Sequence, residues 1–453
     1  MWIKNKSKQD YFPKTRQTEY CFALEYCQKT ITYKLKQISG YPAMKKILLL
    51  TTLLWLSLVA ARGQLYDINA NRNIRKIDIP FEYENNFIIV KVIFNDVFPL
   101  KFIFDTGAEH TILTRREITD LLQINYERKF TIKGADLKTD LYAYLATGVQ
   151  LSINNLVAVN RPILVLEEDY FRFEEYGGIE VQGILGADIF RRFVVRIDYR
   201  RQVITLYDPG KFEPPGGKFE EVPVEITRNK PYIVGDTKLT QDTTVAAKYL
   251  LDTGASISLL IYTNTHPALD LPPRYIRSKI GMGLGGFLEG FLGRVEQIDI
   301  GDAFQLPGVI TNFQEIPPDV DQSFLHGRNG IIGNQVLNRF EIIIDYIGGR
   351  MYLEPQRNFN KRFEYDKSGL VIAASGEHLN KFIVVDLIAN SPAADAGVQV
   401  GDRIVAVNRL PVGLLSLGSI TKKLRKREGK RIRLAIVRGE ERILFKFRLR
   451  RLI

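Results

Sequence analysis

Cysteine is almost missing from this chain of 453 residues. Only Cys21 and Cys27 occur, and both lie early. Behind them, Met44-Lys45-Lys46 opens onto the apolar stretch 47–61. A short basic start, an apolar run too short to span a bilayer comfortably, and then small residues make a secretory signal. Cleavage is expected after Gly63, or else after Ala61. Residues 1–63 are therefore read as a leader, with 1–43 an over-extended start ahead of a true Met44. An uncleaved anchor helix is the rival reading. From residue 64 onward there is no cysteine. That excludes disulfides, thiolate metal sites and lipid attachment just behind the signal. An exported chain without disulfides fits a bacterial periplasm, or secretion, better than it fits a small extracellular domain.

Histidine is also scarce. His110, His266, His326 and His378 have no metal-ligand spacing, so no metal and no other cofactor is expected. There is no G-x-S-x-G elbow for a serine nucleophile. Long amphipathic helices are missing between 64 and 355. Short β-branched and aromatic segments separated by turn residues fill that stretch instead, which predicts an all-β architecture. The net charge of +12 is unevenly spread: +8 in residues 1–63, −7 in 64–360 and +11 in 361–453. The basic character belongs to the two ends.

Against these absences, Asp-Thr-Gly occurs twice, at Asp105-Thr106-Gly107 and Asp252-Thr253-Gly254, 147 residues apart. Each triplet closes an apolar strand-like run and is followed by alanine. Gly183-Ile184-Leu185-Gly186 and Gly330-Ile331-Ile332-Gly333 follow at the same 147-residue offset. So do Arg192-Phe193 with Arg339-Phe340, and Ile197-Asp198-Tyr199 with Ile344-Asp345-Tyr346. Four landmarks in one register mark a duplicated unit, and so long a period means two lobes rather than a solenoid. Lobe 1 is expected over 64–209, a Pro/Gly-rich linker over 210–221 and lobe 2 over 222–355. In each lobe a short helix, 187–193 or 334–340, should precede a strand.

Two carboxylates on equivalent turns suit a hydrolase that activates water without a metal. At about 3 Å they cannot both ionise, so they share one proton. The ionised group takes a proton from water and the protonated one donates to the carbonyl oxygen. Which is which belongs to the pair. Gly107 and Gly254 permit the tight turn that aims each carboxylate. Gly186 and Gly333 are expected where a strand passes close to that turn.

The paired Asp-Thr-Gly-Ala and apolar-apolar-Gly motifs resemble those of aspartic proteases, over about residues 80–355. The alanine is closer to the retroviral type than to the pepsin type. The resemblance implies a bilobal acid-protease β-barrel fold, a pseudo-dimer of retropepsin-like lobes in one chain and hence a monomeric catalytic unit. It implies that Asp105 and Asp252 are catalytic. It also implies that Thr106 and Thr253 cross-link the two turns, and that polypeptides are the substrates. Each lobe should lay a hairpin over the cleft. The first is expected at 132–144, turning at Lys133-Gly134-Ala135-Asp136. The second, at 280–294, carries Gly281, Gly283, Gly285, Gly286 and Gly290, a density suited to a mobile lid. Tyr142, Tyr144, Phe287 and Phe291 either line subsites or pack within the sheet.

Beyond residue 361 the pattern changes. Ser391-Pro392-Ala393-Ala394, Ala396-Gly397, Gly401-Asp402-Arg403-Ile404 and Val407-Asn408 resemble a PDZ domain of the bacterial type, over 361–453. The resemblance implies that Gly369, Leu370, Val371 and Ile372 take C-terminal or extended peptides by strand addition. Val371 stands where many members carry a second glycine.

Two further patterns are set aside. Gly281-Met282-Gly283-Leu284-Gly285-Gly286 matches a dinucleotide fingerprint but lacks its strand–helix setting. Lys422-Lys423-Leu424-Arg425-Lys426-Arg427 is read as the solvated face of a helix, and no nucleic-acid partner is expected of an exported protein. The function expected is an exported aspartic endopeptidase with a peptide-recruiting or regulatory PDZ domain. The alternative is a non-catalytic peptide-binding protein that keeps the protease shape.

Overall fold

A strand buried on both faces reads as a continuous apolar run, whereas one with a solvated face alternates. Val194–Asp198 and Phe340–Asp345 are of the first kind. They pair antiparallel with each other, Val194 opposite Asp345 and Ile197 opposite Ile342. This pairing is the seam between the two repeats. The computed structural model describes residues 68–69, 75–134, 139–376 and 378–453. The expected leader lies outside them, as does the Ala135-Asp136 part of the first lid turn.

The seam lies in the middle of a mainly β platform. Its order is Glu220–Pro223, Arg350–Pro355, Phe340–Asp345, Val194–Asp198, Val203–Tyr207, Lys76–Glu84, with three strands from each repeat. The strand Glu220–Pro223 begins inside the stretch expected to be linker. Arg196 donates from Nε to the buried Glu341 carboxylate across the seam at 2.5 Å. One hydrophobic core runs from Val90 and Phe102 in lobe 1, through Val195 and Ile344, to Leu251 and Phe313 in lobe 2.

Each lobe repeats one arrangement. The strand ending in Asp-Thr-Gly pairs parallel with the apolar-apolar-Gly strand: Phe98–Phe104 with Gly183–Leu185, and Thr243–Asp252 with Gly330–Gly333. On its other side the glycine strand pairs antiparallel with Ile112–Leu113 or Leu259–Tyr262. The helices that follow, Ala187–Phe190 and Asn334–Leu337, are shorter than the sequence suggested. Phe190 and Leu337 are buried, so packing rather than helix length holds these segments in place.

The C-terminal unit has its own core, which includes Phe382, Val384, Ile404, Ile420 and Ile436. Its strands run in the order Leu370–Ser375, Lys381–Leu387, Arg403–Val407, Arg431–Arg438, Glu441–Arg448. Leu417, Ile420 and Leu424 line one side of the helix Leu417–Leu424 and point inward. Lys422 is exposed on that helix, but Arg425 turns toward the protease lobes instead of water. Phe363, Tyr365 and the terminal Ile453 lie within 361–453, yet they pack in the core of the protease lobes. Tyr365 accepts at its hydroxyl from the Leu452 and Ile453 amides, at 2.5 and 2.8 Å.

Asp402 of the Gly-Asp-Arg run is buried and takes two bonds from Arg438, from Nε at 2.7 Å and a terminal nitrogen at 2.9 Å. Burial pushes its carboxyl up, but the Arg438 bonds and the Gln399 amide outweigh this and hold it below the usual range. Arg438→Met would leave that charge unpaired. A lower unfolding midpoint is expected. Denaturant unfolding at neutral pH checks this, and an unchanged midpoint would refute the pairing.

Candidate active site

Asp105 follows the strand Phe98–Phe104 directly, and Asp252 ends Thr243–Asp252. In both turns the chain folds back on the carboxylate. Asp105 Oδ1 accepts from the Gly107 and Ala108 amides at 2.7 and 3.1 Å, and Asp252 Oδ1 accepts from Gly254 at 2.8 Å. These bonds fix each carboxyl's orientation before any ligand arrives.

The threonines bind the two turns together. Thr106 N donates to Thr253 Oγ1, and Thr253 N to Thr106 Oγ1, both at 3.0 Å. The hydroxyls donate onward, Thr106 Oγ1 to Leu251 O at 2.7 Å and Thr253 Oγ1 to Phe104 O at 2.8 Å. Both side chains are fully buried, so every one of these groups would be unsatisfied without its partner.

The glycines set the spacing. A Cβ at Gly107 would stand 2.6 Å from Asp252 Cγ, and one at Gly254 would stand 2.2 Å from Asp105 Oδ2. Only glycine leaves room for the opposing carboxyl. Gly186 and Gly333 solve a second crossing. A Cβ at Gly186 would meet the His110 carbonyl at 2.5 Å, and one at Gly333 would meet the carbonyls of Ile257 and Ala255 at 2.5 and 2.7 Å.

The two carboxyls are within hydrogen-bonding reach of each other. Both residues are half-buried. Burial raises both above the ordinary range. For Asp105 the charge of Asp252 adds to this, so its carboxyl lies well above that range. For Asp252 the bonds from Asp105 and Gly254 and the cations Arg328 and Lys230 pull the other way. The positions 147 residues earlier hold Tyr83 and Val181, so both cations come from lobe 2, and Lys230 acts on Asp105 as well as Asp252. Burial, together with repulsion from Arg328, also lowers the Lys230 ammonium.

A second asymmetry involves Asn334. Its amide donates to the carbonyls of Asn86 at 2.9 Å and Thr253 at 2.5 Å, and its Oδ1 accepts from Tyr199 at 2.6 Å. Lobe 1 has Ala187 there, and the matching Tyr346 hydroxyl is buried without a partner.

The lids are hairpins longer than expected: Tyr126–Lys133 with Asp140–Ile153, and Tyr275–Gly283 with Gly286–Arg294. Their tips meet, since a Cβ at Gly285 would touch Leu141 Cδ1 at 3.1 Å and Gly134 Cα at 3.5 Å. The glycine fingerprint thus lies in a strand–turn–strand hairpin. Tyr142 and Tyr144 serve the sheet: Lys129 lies over both rings, and the Tyr144 hydroxyl donates to Glu167 at 2.7 Å. Phe291 packs edge-on against Tyr275. Phe287 faces a cavity beside the second lid. Gly369, Leu370, Val371 and Ile372 lie far from the dyad in sequence, yet the last three line that same cavity. Among the described residues no three His, Cys, Asp or Glu side chains converge on a point where a metal ion would bind.

Sequence reading missed Lys230, Arg328 and Asn334. Asn334 left a signal, because it is polar where the matching position of lobe 1 holds Ala187. The two cations left none, because their effect depends on where the lobe 2 strands begin.

A family model described as aspartyl protease matches residues 90–189, and one described as PDZ domain matches 383–438. The first match holds Asp105 and Gly186 but ends well before Asp252. No curated protein matches the chain. The molecule is thus a two-lobed β protein similar to aspartyl proteases, with a PDZ domain behind it.

Thr253→Val would strand the Thr106 amide and the Phe104 carbonyl. We expect a loss of about 3 kcal/mol, read by urea unfolding. A loss below about 1 kcal/mol would mean that water replaces these bonds.

Proposed function

We propose that this protein is an exported aspartic endopeptidase that hydrolyses polypeptides with water activated between Asp105 and Asp252. One observation carries the reading: two half-buried carboxyls held within hydrogen-bonding reach, on turns that Thr106 and Thr253 lock together. Export is supported by the signal-like stretch from Met44 and by the cysteine-free remainder. A peptide-recruiting or regulatory role for the PDZ domain is supported by its strand order and its family match.

In the resting dyad one proton is shared. Which carboxyl holds it is a property of the pair, and the Lys230 ammonium acts on both. Water between the carboxyls gives a proton to the ionised one as its oxygen attacks the peptide carbonyl carbon. The protonated carboxyl donates to the carbonyl oxygen, giving a neutral gem-diol. A proton then passes from a carboxyl to the amide nitrogen, the C–N bond breaks, and a hydroxyl proton returns to the dyad. The products are an amine and a carboxylic acid, with the dyad restored to one proton.

Asp105→Asn and Asp252→Asn should each lower kcat for an unfolded protein substrate by on the order of a thousandfold or more. Hydrolysis at the wild-type rate by either variant would end the proposal. If neither the variants nor the wild type cleaves anything between mildly acid and neutral pH, a binding role takes its place.

The rate should be bell-shaped in pH, because it needs one proton on the pair. Lys230 stabilises the anion, so its removal makes both deprotonations harder. Lys230→Met should therefore move both limbs of the bell to higher pH. An acid limb that stays put or moves down would show that Lys230 does not act on the dyad.

A further inference from the structure

The C-terminal domain gathers unpaired positive charge on one face of its sheet. Along Arg431–Arg438 the residues Ile432, Leu434 and Ile436 are buried in the domain core. Strand alternation therefore points Arg431, Arg433, Ala435 and Val437 the other way. Along Glu441–Arg448 the inward residues are Ile443, Phe445 and Phe447, which leaves Arg442, Leu444, Lys446 and Arg448 outward. The register sets these side by side: Arg431 opposite Arg448, Arg433 opposite Lys446, Ala435 opposite Leu444 and Val437 opposite Arg442. Arg403, opposite Val437 on the next strand, adds a sixth cation. No acidic, hydroxyl, amide or aromatic side chain stands at an outward position of these three strands.

Two of those rows oppose like charges, which destabilises an antiparallel pair. Among the described residues none of the six cations has an ion pair, whereas other arginines of the domain do: Arg438 with Asp402, Arg450 with Asp395 and Arg451 with Glu428. A seventh cation is held against backbone preference. Asn408 and Arg409 form the two-residue turn between Arg403–Val407 and Leu410–Pro411, with φ of +52° and +71°. Such a turn favours Asn-Gly, so an arginine stands where glycine fits best. Reciprocal bonds clamp the turn to the sheet, with Asn408 N donating to Arg433 O at 2.7 Å and Arg433 N to Asn408 Oδ1 at 3.0 Å. Arg409, Arg433, Arg442 and Lys446 line an open depression of about 530 Å³. Its apolar lining includes Ala406, Ala435 and Leu444, and Leu444 is 56% exposed.

The face offers two chemistries, fixed positive charge and aliphatic surface. A protein partner's interface is anchored by aromatic residues and carries about ten direct hydrogen bonds, and this face has neither the rings nor the acceptors for that. Single-stranded nucleic acid needs rings to stack on, and a duplex groove admits a helix or ribbon rather than a sheet face. An anionic bilayer presents the matching pair, phosphate at its surface and hydrocarbon beneath. The strands Arg431–Arg438 and Glu441–Arg448 lie at the opposite end of the sheet order from Leu370–Ser375, the strand next to lobe 1. No residue of the protease lobes lines the depression.

We infer that this face docks on an anionic phospholipid bilayer, with Arg409, Arg433, Arg442 and Lys446 on lipid phosphates and Leu444 at the boundary with the acyl chains. Phe363, Tyr365 and Ile453 fasten the domain to the lobes, so docking holds the lobes in one orientation to the membrane. This holds whether or not Asp105 and Asp252 hydrolyse anything.

The full chain with Cys21→Ser and Cys27→Ser carries a nitroxide at Leu444→Cys or, for comparison, at Leu121→Cys, a 73% exposed leucine of lobe 1. It is mixed with vesicles of phosphatidylcholine alone, or with about a third phosphatidylglycerol. On the mixed vesicles the label at 444 should become shielded from a water-soluble nickel complex and open to oxygen, while the label at 121 stays in water. Neutral vesicles should leave both in water. Arg433→Gln with Lys446→Gln should raise the lipid concentration for half shielding by on the order of tenfold or more. Its urea midpoint should be no lower than that of the parent chain, since an opposed like-charge pair is removed. The label comparison needs no variant of the cations to fold. The inference falls if 444 stays as accessible as 121, if neutral vesicles shield it equally, or if the paired substitution leaves shielding unchanged. It also falls if duplex DNA or polyglutamate binds more tightly than the mixed vesicles and is weakened by the same pair, for the face then belongs to that partner.

Discussion

Two carboxyl groups buried side by side repel each other and lose their hydration, so a structure that holds them together must hold them by force. Here that force comes from the reciprocal bonds of Thr106 and Thr253. Each threonine gives its amide to the other's hydroxyl and its hydroxyl to a carbonyl at the end of the other lobe's strand. The two turns become one rigid object. The rest of the protease region serves it: the parallel pairs with Gly183–Leu185 and Gly330–Gly333 brace the turns from behind, and the Val194–Asp198 to Phe340–Asp345 seam keeps the lobes in register.

On this near-symmetric frame the chain has placed differences. Lys230 and Arg328 come from lobe 2 alone, and Lys230 acts on both carboxyls. Asn334 ties its own Asp-Thr-Gly turn to Asn86 and Tyr199 of lobe 1, while Ala187 leaves the matching Tyr346 hydroxyl unpaired. A homodimer could carry none of these, since any substitution would appear twice. Fusion of the lobes lets one carboxyl be biased toward the anion and the other toward the acid. Coupled groups respond strongly to such bias, because a small change in field decides which of the two keeps the shared proton.

The C-terminal domain is bound in more tightly than a tether would bind it. Phe363 lies under the Arg339 guanidinium at 3.4 Å, and Tyr365 grips the chain's last two amides, so the domain is fastened by both of its ends. Its helix Leu417–Leu424 comes so close to lobe 1 that a Cβ at Gly418 would overlap the Asn85 side chain, 2.0 Å from its Oδ1. Fastening at two ends fixes which edge of the domain faces the lobes. That orientation makes the cavity beside the second lid a shared one.

Much of this was legible in order. Asp105, Asp252 and their glycines and threonines could be found because a duplicated Asp-Thr-Gly turn repeats local constraints: a residue that must lack a Cβ, a hydroxyl that must reach across, a strand that must end. Each leaves its mark at a fixed spacing, so the two lobes followed from register, and the β architecture from short β-branched and aromatic segments between turns. That Phe363, Tyr365 and Ile453 pack against the lobes was not legible, because they look like any apolar residues in a one-dimensional string. The lid tyrosines, the cations beside the dyad and the inward turn of Arg425 were equally silent. These depend on contacts between segments tens to hundreds of residues apart, and the side chains involved carry no periodicity to announce them. The sequence by itself determined the dyad, because its constraints are local and repeated. Only the tertiary structure decided which cations stand beside the dyad and which side chains brace the PDZ domain against the lobes, because charge and shape act through space between parts of the chain that share no pattern.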